Sequence, residues 1–475
     1  MNAFPIHANF GGRIVIIGFG SIGQGVLPLI FRHINLPKDK ITIVTADNRG
    51  EEEAKSYDIV HGVKFIINPL TPENYREILE PLVSSGDFLL NLSVDVSSLA
   101  LIKFCAEVGA LYLDTCIEPW KGGYSDPNLS ISERSNYALR ESALTLKREL
   151  RDSSTAIVTH GANPGLVSHF VKQALLNIAS DLGLNVKKPR VKQDWADLAH
   201  LLNVKVIHVS ERDTQLSNIP KKEGEFVNTW SIDGFVSEGC QPAELGWGTH
   251  EKELPNNGEY HTFGCNSAIY MKQPGAGTKV RSWAPLAKNF HGFLVTHSES
   301  ISIADYLTVS EEGRAVYRPT VHYSYHPCDD AVVSIHELAG SNWQQQPTQR
   351  LLMEEIVSGG DELGVLLAGH DKGAYWYGSY LTCEKARELV PYNNATSLQV
   401  CSSIIAGMVW AIENPNKGIV EPEDMDYERI LEICTPYLGN VSGEYTDWTP
   451  LQDRGVLFPE DVDTSDPWQF KNILV

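Results

Sequence analysis

Residues 18–23, Gly18-Phe19-Gly20-Ser21-Ile22-Gly23, follow a short apolar run (residues 13–18, RIVIIG) and open a stretch of helical character. This order constrains the fold more than any other feature of the chain. A first glycine permits a tight strand-to-helix turn, a second lets backbone approach a pyrophosphate, and a third lets the helix pack on the strand. The helix N-terminus, here Ser21 and Ile22, then offers free amide donors to the phosphates. Asp47 closes the next apolar run (residues 41–46, ITIVTA), where a carboxylate accepts hydrogen bonds from ribose hydroxyls and disfavours a 2′-phosphate. The expected cofactor is therefore NAD rather than NADP. Pro28 falls inside the expected helix and should bend it.

Further apolar runs at 63–67, 88–92 (FLLNL), 110–114 (ALYLD) and 156–159 (AIVT) alternate with helical stretches at 72–84 and 96–107. Fully apolar strands separated by helices imply a parallel sheet covered on both faces. The fold class expected is α/β, with a Rossmann-type doubly wound parallel sheet over residues 1–160. From there to 355 the pattern becomes short alternating segments (204–209, 225–231, 292–296, 317–321) among many turn residues. They indicate a second, α+β domain over 161–355 with a mixed or antiparallel sheet. Residues 356–475 are expected to form a C-terminal helical segment packing back on the Rossmann domain, with a buried helix at 398–412.

With 39 Lys+Arg against 60 Asp+Glu, the formal charge of −21 excludes a protein that coats nucleic acid and points toward small cationic partners. Two uncharged runs, 14–31 and 393–412, raise the membrane question, but the first carries several Gly, a Gln and a Pro, and the second many polar amides and hydroxyls. No membrane partner is expected. No basic segment leading into an apolar core opens the sequence, and the eight cysteines include no CxxC pair. A cytoplasmic protein with free thiols is expected. His322 and His326 are the closest histidine pair considered for a metal, but no third ligand accompanies them, so no metal is expected.

In doubly wound sheets, ligands bind outside the carboxyl ends of the strands. There the sequence places Leu92, Ser93 and Asp95, then Asp114, Thr115, Cys116 and Glu118, then Ala162, Asn163 and Pro164. Asp95 suits either a site at the nicotinamide end or a helix N-cap, and Glu118 either that site or a solvated loop. Two acids beside a hydride carrier in an acidic protein suggest an amine substrate.

GFGSIG, the segment NLSVDVSSLALIKFCAEVGALYLDTC and the sequence GANPGL resemble the saccharopine reductase-like family. The fuller set resembles the bacterial homospermidine synthase family within it: TCIEPW at 115–120, HGANPG at 160–165, HVSERD at 208–213, NTWSIDGFVSEG at 228–239, AELGWGTHE at 243–251, VTHSES at 295–300 and YLGNVSG at 437–443. The resemblance implies a homodimer, joined through the middle domain, that condenses two putrescines through an imine and releases ammonia; spermidine is a second candidate diamine. It further implies amine-binding carboxylates at Glu118, Glu211 and Glu238, with Asp95 nearby. Trp230 is the candidate for a cation–π contact, or else a core tryptophan; Asn163 orients an amine or the nicotinamide amide, or serves only as a turn residue before Pro164. His297 is a candidate proton relay. Asp361 and Glu362, in an expected GGDELG turn, are candidate substrate-loop residues. The competing readings are a saccharopine- or lysine-type dehydrogenase, whose carboxylated substrate calls for an arginine pair, and a nucleotide-sensing protein without catalysis.

Overall fold

A computed structural model describes residues 4–48, 50 and 62–475. Strands β1 (Ile14–Ile17), β2 (Ile41–Thr45), β3 (Lys64–Ile67), β4 (Phe88–Asn91), β5 (Leu111–Asp114) and β6 (Ala156–Ile157) form one parallel sheet. Its order is β3-β2-β1-β4-β5-β6, closed at the far edge by Ile419–Val420. The order reverses between β1 and β4, which opens a crevice at their carboxyl ends. β1 is buried throughout, as a strand covered on both faces requires. Helix α1 (Ser21–His33) runs on through Pro28, and α2 (Ser98–Val108) is capped by Ser97, whose hydroxyl accepts from the Ala100 amide at 3.3 Å. Ser97, not Asp95, fills the N-cap. The helix expected over 72–84 is confined to Tyr75–Leu79.

The second sheet has ten strands. In chain order they are β7 (Val206–Asp213), β8 (Pro242–Gly246), β9 (Gly258–Tyr260), β10 (Ala268–Pro274), β11 (Lys279–Ala284), β12 (Lys288–Phe293), β13 (Thr320–His326), β14 (Gly360–His370), β15 (Gly373–Thr382) and β16 (Asn440–Thr446). Eight follow the path β9-β10-β8-β13-β7-β14-β15-β16, and β12 bridges β11 to β13. Only β7 and β13 pair in parallel, so the sheet is mixed. Helix α3 (Leu166–Asp181) lies on β14 and β15, α4 (Ile232–Cys240) follows the Trp230 bend, and α5 (Ser298–Tyr306) packs on β8 and β13. The opposite face is closed by Trp376, Trp448, Trp468 and Phe470.

Two expectations are corrected. Residues 356–475 are not a helical segment: they supply β14, β15 and β16 to the second sheet and Ile419–Val420 to the first. The GGDELG stretch is not a turn, because Gly360 already pairs with Thr382 and begins an eleven-residue strand. The apolar run after it, LGVLLAG, is buried on both faces, and that burial outweighs the local turn composition. The same segment also carries α6 (Ala395–Glu413), the one helix among the described residues long and apolar enough to cross a membrane. It is instead a core helix, packed on α1 and β5 of the first sheet and on β14 and β15 of the second.

Candidate active site

The glycine turn has the geometry the spacing requires. Gly18 sits at φ +86°, and a Cβ there would meet the Leu92 carbonyl oxygen at 2.8 Å. Gly23 is held close to the turn, a Cβ lying 3.0 Å from Gly18 O. Gly20 faces open space at φ −74° and caps α1 with no side-chain acceptor and no acid in the first turn. Ser21 and Ile22 begin the helix, with uncommitted amides that suit a pyrophosphate. Asp47 lies two residues beyond β2 and is half-buried. These residues fit a dinucleotide.

Leu92 and Ser93 follow β4, Thr115 and Cys116 follow β5, and Ala162, Asn163 and Pro164 follow β6, all on the same edge of the sheet. The Ser93 hydroxyl donates to Asn91 Oδ1 at 2.6 Å. Asp114 is spent inside the fold: its carboxylate accepts from the Thr159 amide at 2.6 Å and from the Tyr112 hydroxyl at 2.8 Å, and burial pushes it up to about 6.

Two groups of acids stand at this edge. In the first, Glu118 is 3% exposed, its amide donating to Ser98 Oγ at 3.1 Å. Burial, then the charges of Glu238 and Asp95, push its carboxyl up to about 8. Asp95 itself is exposed, with φ +63°. Glu238, on α4, accepts from the Cys116 thiol at 3.7 Å and lies 3.2 Å from His297 Nε2. The other ring nitrogen of His297 lies 3.2 Å from Glu299 Oε1. Burial opposes charge on this ring, but Glu299 and Glu238 outweigh it and lift His297 to about 10. It is an imidazolium at neutral pH, not a group that titrates there.

The second group is carried by the second sheet. Side chains two apart on a strand share a face, so Glu211 and Asp213 project together from β7, and Asp361 pairs across from Asp213 on β14. All three are buried. Glu211 Oε2 accepts from Tyr323 OH at 2.5 Å and from Asn163 Nδ2 at 2.8 Å. Asp213 accepts from Thr229 Oγ1 at 2.6 Å and from the Gln215 amide at 2.8 Å, and Asp361 accepts from Thr396 Oγ1 at 2.6 Å. Asp361 Oδ1 is buried with no donor among the described residues, and the Asp361 and Glu211 carboxyls lie within hydrogen-bond reach of each other. Burial raises Glu211 to about 7 and raises Asp213; in Asp361, burial and the neighbouring charges of Glu211 and Asp213 raise the carboxyl well above its ordinary range. The first turn of α6 supports this group, since Ala395 N donates to Gln215 Oε1 at 2.9 Å. A helix N-terminus offsets negative charge.

Trp230 lies in the bend after Glu225–Asn228 and immediately before Ser231, the N-cap of α4. It is half-buried, packs on Phe235 with centroids 5.1 Å apart, and donates its indole N–H to Tyr325 OH at 3.0 Å. It is not a residue of the sheet. Glu362 points away from the acids and accepts from the Leu286 and Ala287 amides at 2.8 and 3.1 Å. Asp213, Tyr323, Tyr325 and Glu299 are neighbours of the candidate residues that the residue-by-residue reading missed. The alternation in HVSERD and in Tyr323-Ser324-Tyr325 was the signal that could have found the first three. His322 packs against His208 with centroids 4.2 Å apart and planes tilted by 41°, and no group of three metal-ligating side chains stands among the described residues.

The saccharopine dehydrogenase NADP binding domain matches residues 14–158, and the saccharopine dehydrogenase C-terminal domain matches residues 161–447. The chain is 56% identical to the homospermidine synthase of Blastochloris viridis over the full length of both chains. It is 52% identical to that of Mesorhizobium japonicum over 99% of this chain and 98% of the relative. The crystal structure of the homospermidine synthase of Legionella pneumophila in complex with NAD superposes with a TM-score of 0.91 at 50% identity, covering 98% of each chain.

Proposed function

The chain belongs to the homospermidine synthase family, and on that basis we propose how its own residues run the reaction. It is an NAD-dependent enzyme that condenses two putrescine molecules to sym-homospermidine with release of ammonia. Bound NAD accepts a hydride in the first half of the reaction and returns it in the second, so there is no net redox change. The carboxylate of Asp47 favours NAD over its 2′-phosphorylated form.

The observation that carries the assignment is the grouping of five buried carboxylates, Glu118, Glu238, Glu211, Asp213 and Asp361, beside one half-buried indole. A diamine is a dication, and each end needs a carboxylate. Glu211, with Asp361 and Asp213 behind it, takes one ammonium; Glu118 and Glu238, with Asp95 at the rim, take the other. Glu118, poised near 8, accepts the proton whose loss makes an amine nucleophilic. His297 stays charged and holds Glu238 in place. Asn163 orients Glu211, and the face of Trp230 stabilises positive charge at the reacting nitrogen.

A dehydrogenase acting on a carboxylated amino acid would need an arginine here. Arg212, between Glu211 and Asp213 in sequence, turns to the other face, where it donates to the Pro327 carbonyl at 3.1 Å. We also propose a cytoplasmic homodimer joined through the middle domain, and a limit of the nucleotide-binding domain near 160; light scattering during gel filtration tests the dimer and limited proteolysis the limit. The central test is incubation of the NAD-loaded protein with putrescine. Homospermidine and ammonia in equal amounts support the assignment, and their absence overturns it.

A further inference from the structure

Tyr323 is 2% exposed on β13, in the middle of the parallel pairing with β7. Its ring is held between the His297 imidazole (centroids 4.3 Å apart, planes at 30°) and the Tyr325 ring (5.3 Å, 10°). Stacked on both sides, the ring has one place to put its hydroxyl. That hydroxyl donates to Glu211 Oε2 at 2.5 Å, the same oxygen that Asn163 reaches at 2.8 Å. Two donors on Oε2 leave the remaining lone pairs of Glu211 to Asp361, which lies within hydrogen-bond reach, and to a partner that brings a proton. A buried phenol is costly unless its hydroxyl is paired, and a phenylalanine would stack here equally well. The hydroxyl therefore serves the carboxylate rather than the packing.

From this geometry we infer that Tyr323 is a positioning residue for Glu211, fixing one carboxylate oxygen so that the other faces a substrate ammonium. This rests on the diamine assignment above. The groups facing Glu211 are Asp213 on its own strand, Asp361 on β14, Tyr323 and Tyr325 on β13, Asn163 from the loop after β6, and His297 at the start of α5. Of these, the Tyr323 and Asn163 donors favour the ionised form of Glu211, whereas burial and the Asp213 charge disfavour it. Burial and Glu211 push the Tyr323 hydroxyl well up, so it stays a donor over the working pH range.

The test compares the NAD-loaded full-length parent with Y323F, using calorimetric putrescine binding and kcat/KM between about pH 6 and 9. Removing the donor should weaken binding at pH 7 by roughly tenfold and move the acid limb of the profile up by about one pH unit. The difference should shrink at pH 9, where Glu211 is ionised in both proteins, with NAD affinity unchanged. Site-specific 3,5-difluorotyrosine at 323 keeps every contact but makes the hydroxyl a stronger donor, so the limb should move to lower pH. It supplies the same readout if Y323F melts early. Superimposable profiles in the fluorinated and parent proteins, or an equal loss at every pH in Y323F, would reduce Tyr323 to packing and overturn the inference. A parent that binds putrescine normally but makes no homospermidine would instead overturn the proposed reaction while leaving this assignment standing.

Discussion

Asn163 Nδ2 donates to Glu211 Oε2 at 2.8 Å, so a loop of the nucleotide-binding sheet holds a carboxylate that belongs to the other sheet. Asn163→Asp keeps the shape and replaces the donor by a like charge, which raises Glu211 further from its present value of about 7. We expect kcat/KM for putrescine at pH 7 to fall by about tenfold or more, equivalent to about 1.4 kcal/mol, and to recover partly toward pH 9. A steady-state pH profile checks this, and unchanged turnover at pH 7 would contradict it.

Trp230 allows shape and charge to be separated. Trp230→Phe should retain part of the activity, because a benzene face is a weaker cation partner; Trp230→Ala should lose nearly all of it. The indole is half-buried, so its removal should cost less stability than the roughly 3–5 kcal/mol of a fully buried one. Turnover should therefore collapse while Trp230→Ala stays folded and keeps NAD. A folded Ala variant that turns over putrescine normally would remove the indole from the site.

The glycine turn predicts a contrast. Gly20→Ala places its methyl in open space at an ordinary φ, so the melting temperature should hold while NAD binding weakens. Gly18→Ala drives a methyl against the Leu92 carbonyl at φ +86° and should cost about 1–3 kcal/mol of stability as well. Thermal melts paired with cofactor occupancy separate the two. Equal stability losses would contradict the assignment of Gly20 to the cofactor.

Stability should fall as pH rises from 6 to 9. Glu118 and Glu211 have folded-state values raised to about 8 and about 7, so the stability they contribute is complete below the unfolded carboxyl range and is lost as pH passes through those values. His297, raised to about 10, contributes stability present below its unfolded value and lost on the way to 10, the same direction. Putrescine supplies cations to the ionised acids and should flatten the decline, and Glu118→Gln should remove part of it. Calorimetric melting with and without putrescine gives the readout, and a flat ligand-free profile would contradict the burial of these acids.

Putrescine turnover should leave the nicotinamide absorbance near its starting value while homospermidine and ammonia rise together. Stoichiometric accumulation of reduced cofactor would favour a net-redox dehydrogenase.

The nucleotide-binding half was legible because its signals are local: a glycine spacing after an apolar run, and acids just past strand ends. The second sheet was less so. β14 begins in a composition that reads as a turn, and only its pairing with β7, from a distant part of the chain, and with β15, the strand that follows it, makes it a strand. For the same reason Asp361 is legible only as a candidate in an expected turn, while Asp213, which needs the strand register to be placed beside it, is missed. His297 was read as a relay because histidine ordinarily titrates near neutrality. Glu299, in the first turn of α5, together with Glu238 takes it out of that range, and its role follows from contact rather than from spacing.

Helix α6 packs on both sheets, and the strands that follow it return one to each. Swinging one half away from the other as a rigid lid would strip apolar surface from this shared helix, so small molecules exchange by local rearrangement of side chains and loops. The enzyme is also not modular. A gene truncated before α6 would deprive both halves of their common support, and neither half could be exchanged with a relative's without its matching C-terminal stretch.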